Sequence, residues 1–169
     1  NSTYKEGSEF FFDVLFKTGN STNKTIIETE LDEIETKKLD FGHENYKILI
    51  VEDNKINMLL AKTLVKQIIP NGIIYVAENG KDAVDKFSVL KPDLILMDIQ
   101  MPILNGYEAT AEIRKHPIGQ HIPIIALTAG TVIGEKEKCI EAGMNDYISK
   151  PIDRDFLEKI ITKWILTKL

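Results

Sequence analysis

No stretch of the 169 residues approaches the ~18 consecutive apolar residues of a membrane span, so no direct membrane contact is expected of this segment. Cysteine occurs once, at Cys139, which excludes an internal disulfide and fits a reducing, cytoplasmic setting. The first residue is Asn1 rather than Met, and neither a basic n-region nor a long apolar h-region follows. The chain therefore reads as a fragment, not as a secretory precursor. A basic excess is also missing, since the net charge is −5. Residues 1–45 hold five lysines against ten acids, while the rest balance at 16 of each. That excludes the basic surface nucleic acid requires and marks a compositional boundary near residue 45.

What is present is an alternation of apolar strands and amphipathic helices from Tyr46 onward. Strands are predicted over 46–52, 73–77, 93–98, 122–128 and 146–149, and helices over about 55–69, 81–90, 106–115, 133–142 and 153–168. The first helix is expected to bury a stripe of Ile56, Leu59, Leu60, Leu64 and Ile68. The last is expected to bury Phe156, Leu157, Ile160, Ile161, Trp164 and Ile165. Pro70-Asn71-Gly72, Asn79-Gly80, Lys91-Pro92 and Gly143 punctuate the units. Five β-α units with oily strands imply a parallel sheet covered on both faces. Right-handed crossovers then give a doubly wound, flavodoxin-like α/β fold, in which ligands bind at the carboxyl ends of the strands.

The run DLILMDIQMP, Asp93 to Pro102, sharpens this expectation. Its aliphatic half suits a central strand, yet Asp98 follows at the tip. Glu52-Asp53-Asn54 ends the first strand, Thr128-Ala129 the fourth, and Lys150-Pro151 follows the fifth. Three acids converging on one edge repel one another unless a cation is present. A hard divalent ion with oxygen ligands answers that repulsion, and Mg²⁺ suits an open site. Lys150 neutralises further charge, and Thr128 offers a hydroxyl to an oxyanion. With those charges placed, a carboxylate serves as a nucleophile toward phosphorus, which makes Asp98 the candidate. Taken singly, Asp98 and Asp53 fit helix-capping or strand-end acids, and Thr128 fits a satisfied strand hydroxyl. Met97, Met101 and Cys139 fit packing positions, the cysteine partly buried. The force of the reading lies in the set.

The motifs VEDN, LILMD with MP and NG, LTA, and SKP stand in order. Asp53 to Asp98 spans 45 residues, Asp98 to Thr128 spans 30, and Thr128 to Lys150 spans 22. In this the segment 46–169 resembles the receiver domain of two-component response regulators. The resemblance implies the strand order 2-1-3-4-5 and phosphorylation of Asp98 by a phosphohistidine on a partner. It implies Mg²⁺ held directly by Asp53 and Asp98, through water by Glu52, and by the backbone carbonyl of Gln100. Lys150 would pair with Asp98 or its phosphate, and Thr128 would swing in to the phosphoryl group. Tyr147, three before the lysine, would change rotamer with Thr128 and alter the face of helix four, strand five and helix five. Tyr147 also fits a half-buried structural aromatic.

Residues 5–18, KEGSEFFFDVLFKT, alternate Phe10, Phe12, Val14 and Phe16 on one face. This strand resembles the last strand of a histidine-kinase ATP-binding domain, so residues 1–18 read as the remnant of a preceding domain. Residues 19–45 read as an acidic linker in which TIIETELDEIETKKL has the pattern of a short helix. The parent implied is a hybrid sensor histidine kinase, with a histidine phosphotransfer protein or the kinase's own phosphohistidine domain as partner. No output domain follows helix five in the sequence given. A Phe-rich strand standing alone has two outlets: pairing with another copy's sheet edge, or folding back.

His43-Glu44 superficially matches a phosphorylatable histidine box, but a strand follows it rather than an amphipathic helix. His116 and His121 flank a Pro/Gly loop and are expected in solvent. The rival readings are a haloacid-dehalogenase-type phosphohydrolase, a nucleotide-binding flavodoxin-like module and a non-phosphorylated interaction module. The first needs a general acid two residues after the nucleophile, where Gln100 stands. The second needs a phosphate-cradling loop where VEDNKIN places acids. The acid set itself argues against the third.

Overall fold

Val, Ile and Leu fill the strand positions so completely that both faces of the sheet must be covered, and they are. A computed structural model describes residues 2–3, 7–8, 45–130 and 135–166. Its strands are β1 (Lys47–Val51), β2 (Ile73–Ala77), β3 (Leu94–Asp98), β4 (Ile124–Thr128) and β5 (Asp146–Ser149). They alternate with helices α1 (Lys55–Ile68), α2 (Gly80–Leu90), α3 (Gly106–Lys115), α4 (Glu135–Glu141) and α5 (Arg154–Leu166). All four pairings are parallel, in the order β2-β1-β3-β4-β5. This is the flavodoxin-like arrangement expected from the sequence, and its central strands β1, β3 and β4 are buried almost throughout.

The two-residue period of the strands splits the core in two. Ile48, Ile50, Leu94, Leu96, Ile125 and Leu127 face Ala61, Val65 and Ile68 of α1 and Leu157, Ile161 and Ile165 of α5. Leu49, Val51, Ile95, Met97, Ile124 and Ala126 face Ala83 and Phe87 of α2, Ala109 and Ile113 of α3, and Cys139 of α4. Cys139 is fully buried rather than partly so.

Asparagine starts three of the helices. Asn54, Asn79 and Asn105 accept backbone N–H groups at the starts of α1, α2 and α3, and Asn105 with Glu108 closes a full capping box. The NG motif has a steric cause: a Cβ on Gly106 would collide with the carbonyl oxygen of Asp98. Only glycine lets α3 begin directly beneath the end of β3.

Two helix faces differ from the expectation. On α1, Ile56 is 79% exposed, Leu59 is 65% exposed, and Leu60 is also exposed. The residues packed inward are Met58, Ala61, Leu64, Val65 and Ile68. Apolar side chains run around more of this helix than one face, and the small Ala61 marks where it approaches the sheet. On α5, Phe156 is exposed and Trp164 is half-buried.

Residues 1–38 and 39–169 form two separate units. In the first, Ser2–Thr3 pairs antiparallel with Gly7–Ser8. The Phe-rich strand over 5–18 and the linker over 19–45 otherwise lie outside the described residues, apart from Asn45. So does any self-association through that strand. Among the described residues, no helix is long and apolar enough to cross a membrane.

The α1 assignment has a stability consequence. Ile161→Ala, which empties a buried position, is expected to cost about 2–5 kcal/mol in urea denaturation. Leu59→Ala is expected to stay within about 0.5 kcal/mol. A loss at Leu59 as large as at Ile161 would put the core face of α1 where the bulky stripe first suggested.

Candidate functional site

The sheet register builds the site. Val51 pairs with Met97 across β1 and β3, so Glu52 and Asp98 are the next neighbours along the same parallel pair. They share the parity of Ile50 and Leu96, which directs both carboxylates toward the α1–α5 side. Thr128 ends β4 opposite Ser149 of β5, and the backbone N–H of Lys150 donates to the Thr128 carbonyl at 2.7 Å. That bond brings the Lys150 side chain back over the acids.

Its ammonium bridges two carboxylates, donating to Glu52 Oε2 at 2.7 Å and Asp98 Oδ2 at 2.8 Å. Glu52 is 2% exposed and Asp98 4%. The backbone N–H of Gln100 donates to Asp98 Oδ1 at 3.2 Å. Glu52 Oε1 accepts from Asn57 Nδ2 at 3.0 Å and from the Asn54 N–H at 3.4 Å. Asp53 is exposed, yet Glu52, Asp53 and Asp98 each offer a carboxylate oxygen within 4.8 Å of the others. A cleft of about 380 Å³ opens beside them, lined by Glu52, Asp53, Lys55, Met58, Leu59 and Lys62 among others.

Burial pushes the Asp98 carboxyl above its ordinary value, and Glu52 adds to that. The bonds to Lys150 and Gln100 oppose it without cancelling it. Lys150 is also desolvated, but its bonds to Asp98 and Glu52 outweigh this and raise it. A set of three oxygen donors around concentrated negative charge fits a hard divalent cation such as Mg²⁺.

The remaining sequence candidates are placed less directly. Thr128 is buried, and its hydroxyl donates to the Gly130 carbonyl at 3.2 Å. Tyr147 is half-buried against the α2–α4 side core, and Lys136 of α4 lies 5.9 Å from its ring centroid. Ala126 pairs with Tyr147, so Thr128 and Tyr147 share a face of adjacent strands. Gln100 is exposed and touches Asp98 through its N–H. His116 and His121 are exposed, and the His116 ring meets the edge of Phe87. His43 lies outside the described residues.

Three contributors went unread in the sequence. Asn57, at the third position of α1, holds Glu52. Its signal was a donor three residues after the Asn54 cap. Arg114 donates to the carbonyls of Gly119, Ile122 and Gly143 and to Asn145 Oδ1, tying α3 to the turn before β5. Desolvation lowers its pKa. Ile103, in the loop after Asp98, is β-branched at φ 71° and is 80% exposed. The Leu104 N–H donates to the Pro102 carbonyl at 2.8 Å across it, closing a γ-turn of the strained hand.

Comparison with known proteins gives a consistent picture. The family model for the response regulator receiver domain matches residues 48–162. The chain is 46% identical over 127 residues to hybrid signal transduction histidine kinase I of Dictyostelium discoideum, covering 70% of this chain and 7% of that protein. The chain thus spans a small part of the curated relatives it matches. Among solved structures, it is similar to the receiver domain of sensor histidine kinase PA1611 from Pseudomonas aeruginosa, which has magnesium coordinated in its active-site cleft. The identity is 39%, the TM-score 0.67, and the coverage 72% of this chain and 98% of that one. It is also similar to the receiver domain of Saccharomyces cerevisiae Ssk1, crystallised with the histidine phosphotransfer protein Ypd1. There the identity is 32%, the TM-score 0.67, and the coverage 73% and 91%.

The raised Asp98 pKa has a definite pH signature. Between the unfolded value, about 3.9, and the higher folded one, the native state binds more protons than the unfolded state. Stability therefore falls as pH rises through that window. With EDTA present, the urea midpoint of the wild type should decline relative to Asp98→Asn from pH 4 upward, because asparagine does not titrate. Parallel pH curves for the two proteins would contradict the burial cost assigned to Asp98.

Proposed function

We propose, from the premise that the chain belongs to the response regulator receiver domain family, that Asp98 is the phosphoacceptor of this receiver. The chain is a receiver domain of a two-component phosphorelay. The observation that carries the Asp98 assignment is the Lys150 ammonium shared between buried Asp98 and Glu52 beside a third acid. A carboxylate oxygen of Asp98 attacks the phosphorus of a phosphohistidine. An O–P bond forms, the N–P bond breaks, and its electron pair returns to the imidazole.

Asp53, Asp98, the Gln100 backbone carbonyl and, through water, Glu52 would hold Mg²⁺, which would supply positive charge to the phosphoryl oxygens. Lys150 stays beside Asp98 and pairs with the charge that the phosphoryl group brings. The Thr128 hydroxyl leaves the Gly130 carbonyl for a phosphoryl oxygen. Tyr147, on the same face, follows it and alters the surface of α4, β5 and α5. Such a switch is a two-state equilibrium biased by local charge.

Incubation with acetyl phosphate and Mg²⁺, followed by intact mass, should give one labile phosphoryl adduct that is lost in Asp98→Asn. An adduct surviving that substitution, or none in either protein, defeats the assignment.

The names of the relatives support a hybrid histidine kinase as the longer protein, and a cytoplasmic setting for this domain is proposed with it. The donor or acceptor of the phosphate is then the kinase's phosphohistidine domain or a histidine phosphotransfer protein. The yeast receiver bound to such a protein supports the second kind. The docking face is proposed as the outer side of α1 with Ile103. Ile56, Leu59, Leu60 and Ile103 are exposed apolar side chains, and the cleft beside the acids reaches Leu59. Leu59→Asp should slow transfer from a phosphorylated histidine phosphotransfer protein at least about ten-fold more than it slows reaction with acetyl phosphate. Equal effects on both donors would place docking elsewhere.

A further inference from the structure

Glu52 is a buried carboxylate whose two oxygens are held by different parts of the chain. Oε2 accepts from Lys150, 98 residues away in sequence. Oε1 accepts from the Asn57 amide at 3.0 Å, with the Asn54 N–H more distant at 3.4 Å. Asn57 is itself fixed, because its backbone N–H donates to the Asn54 side chain at 3.2 Å. In an ordinary capping box the third helical residue reaches back to the N–H of the cap. Here Glu52 accepts the cap N–H instead, and the third residue is turned onto Glu52. The first turn of α1 and an acid of the metal cluster thus form one hydrogen-bonded unit.

We propose that Asn57 is a positioning residue for Glu52, and that its amide sets how tightly the acid cluster holds Mg²⁺. This deepens the receiver reading and rests on it for the identity of the ion. A carboxamide is the side chain the position calls for. It donates to Oε1 without adding charge where three carboxylates already crowd together. A leucine of similar size has no donor, which leaves a buried carboxylate oxygen with only the longer backbone contact. Residues that orient metal-ligating groups from behind typically change metal affinity by about 10–100-fold when removed.

The test is a double-mutant cycle on the full chain, with Mg²⁺ affinity measured by calorimetric titration. Asn57→Leu is expected to weaken Mg²⁺ binding by about ten-fold in the wild-type background and by less than about two-fold in Glu52→Gln. Asn57→Ser, too short to reach Oε1, repeats the measurement if the leucine variant does not fold, with thermal melts in EDTA as the check on folding. Unchanged affinity, or the same loss in both backgrounds, overturns the proposal. Mass analysis with acetyl phosphate at saturating Mg²⁺ separates the two claims. A wild type that binds Mg²⁺ without forming an adduct defeats the phosphoacceptor reading, while the Asn57 cycle is still read from binding alone.

Discussion

The organising constraint is that Asp98 and Glu52 are both buried and lie within reach of one another, so neither is tolerable as an anion without a cation between them. Lys150 is that cation, and it arrives from the far end of the sheet. The bridge exists only when β5 is paired with β4 and the Lys150 N–H is bonded to the Thr128 carbonyl. The chemistry of the site is therefore conditional on completion of the sheet. The oily strands give the carboxylates a fixed position, and burial raises the energy of their charge. A group that brings or balances charge at this edge acts on a strained electrostatic arrangement rather than a relaxed one.

Much of this was legible in the sequence because parallel strands buried on both faces leave an unbroken apolar signature. All five strands of the sheet lie within two residues of where the apolar runs placed them, and the residues at or just past their ends are Glu52, Asp53, Asp98, Thr128 and Lys150. The face of α1 was not legible. KINMLLAKTLVKQI has apolar side chains at spacings that satisfy more than one stripe, and bulk favoured Leu59 and Leu60. Packing distance chose differently, putting the small Ala61 against the sheet and the large residues outside. Phe156 misled in the same way. Asn57 and Arg114 escaped because neutral amides and a carbonyl-bonded guanidinium carry no charge pattern that sequence spacing reveals.

The two helices next to β5 are anchored unequally. On the α1–α5 side, α5 alone contributes Leu157, Ile160, Ile161 and Ile165 to the core. On the other side α4 runs for seven residues, and across residues 136–141 its one buried side chain is Cys139. Lys136 of α4 also lies over the Tyr147 ring of β5. By contrast β5 is fastened to α5 through Asp146, which accepts from Lys163 at 2.7 Å and from the Trp164 indole at 3.0 Å. Burial would raise the Asp146 carboxyl, but these donors and the Tyr147 N–H hold it below its ordinary range.

That inequality bears on how a charge at Asp98 reaches the surface. Thr128 and Tyr147 share the face that α4 covers, whereas Glu52 and Asp98 point to the face that α1 and α5 cover. In the proposed switch, an event at Asp98 that recruits the Thr128 hydroxyl would draw on α4, the helix with the fewest buried side chains among the described residues. Elements with few buried contacts open or shift at the smallest free-energy cost. Arg114 meanwhile pins the turn from Gly143 to Asn145, immediately before β5, to α3. In the proposed switch, that pin and the Asp146 anchor would hold the start of β5, and α4 and the Tyr147 ring would respond. In the proposed switch, a weakly anchored helix beside a strongly anchored strand would convert a local gain of charge into a displacement of one surface rather than a loosening of the whole domain.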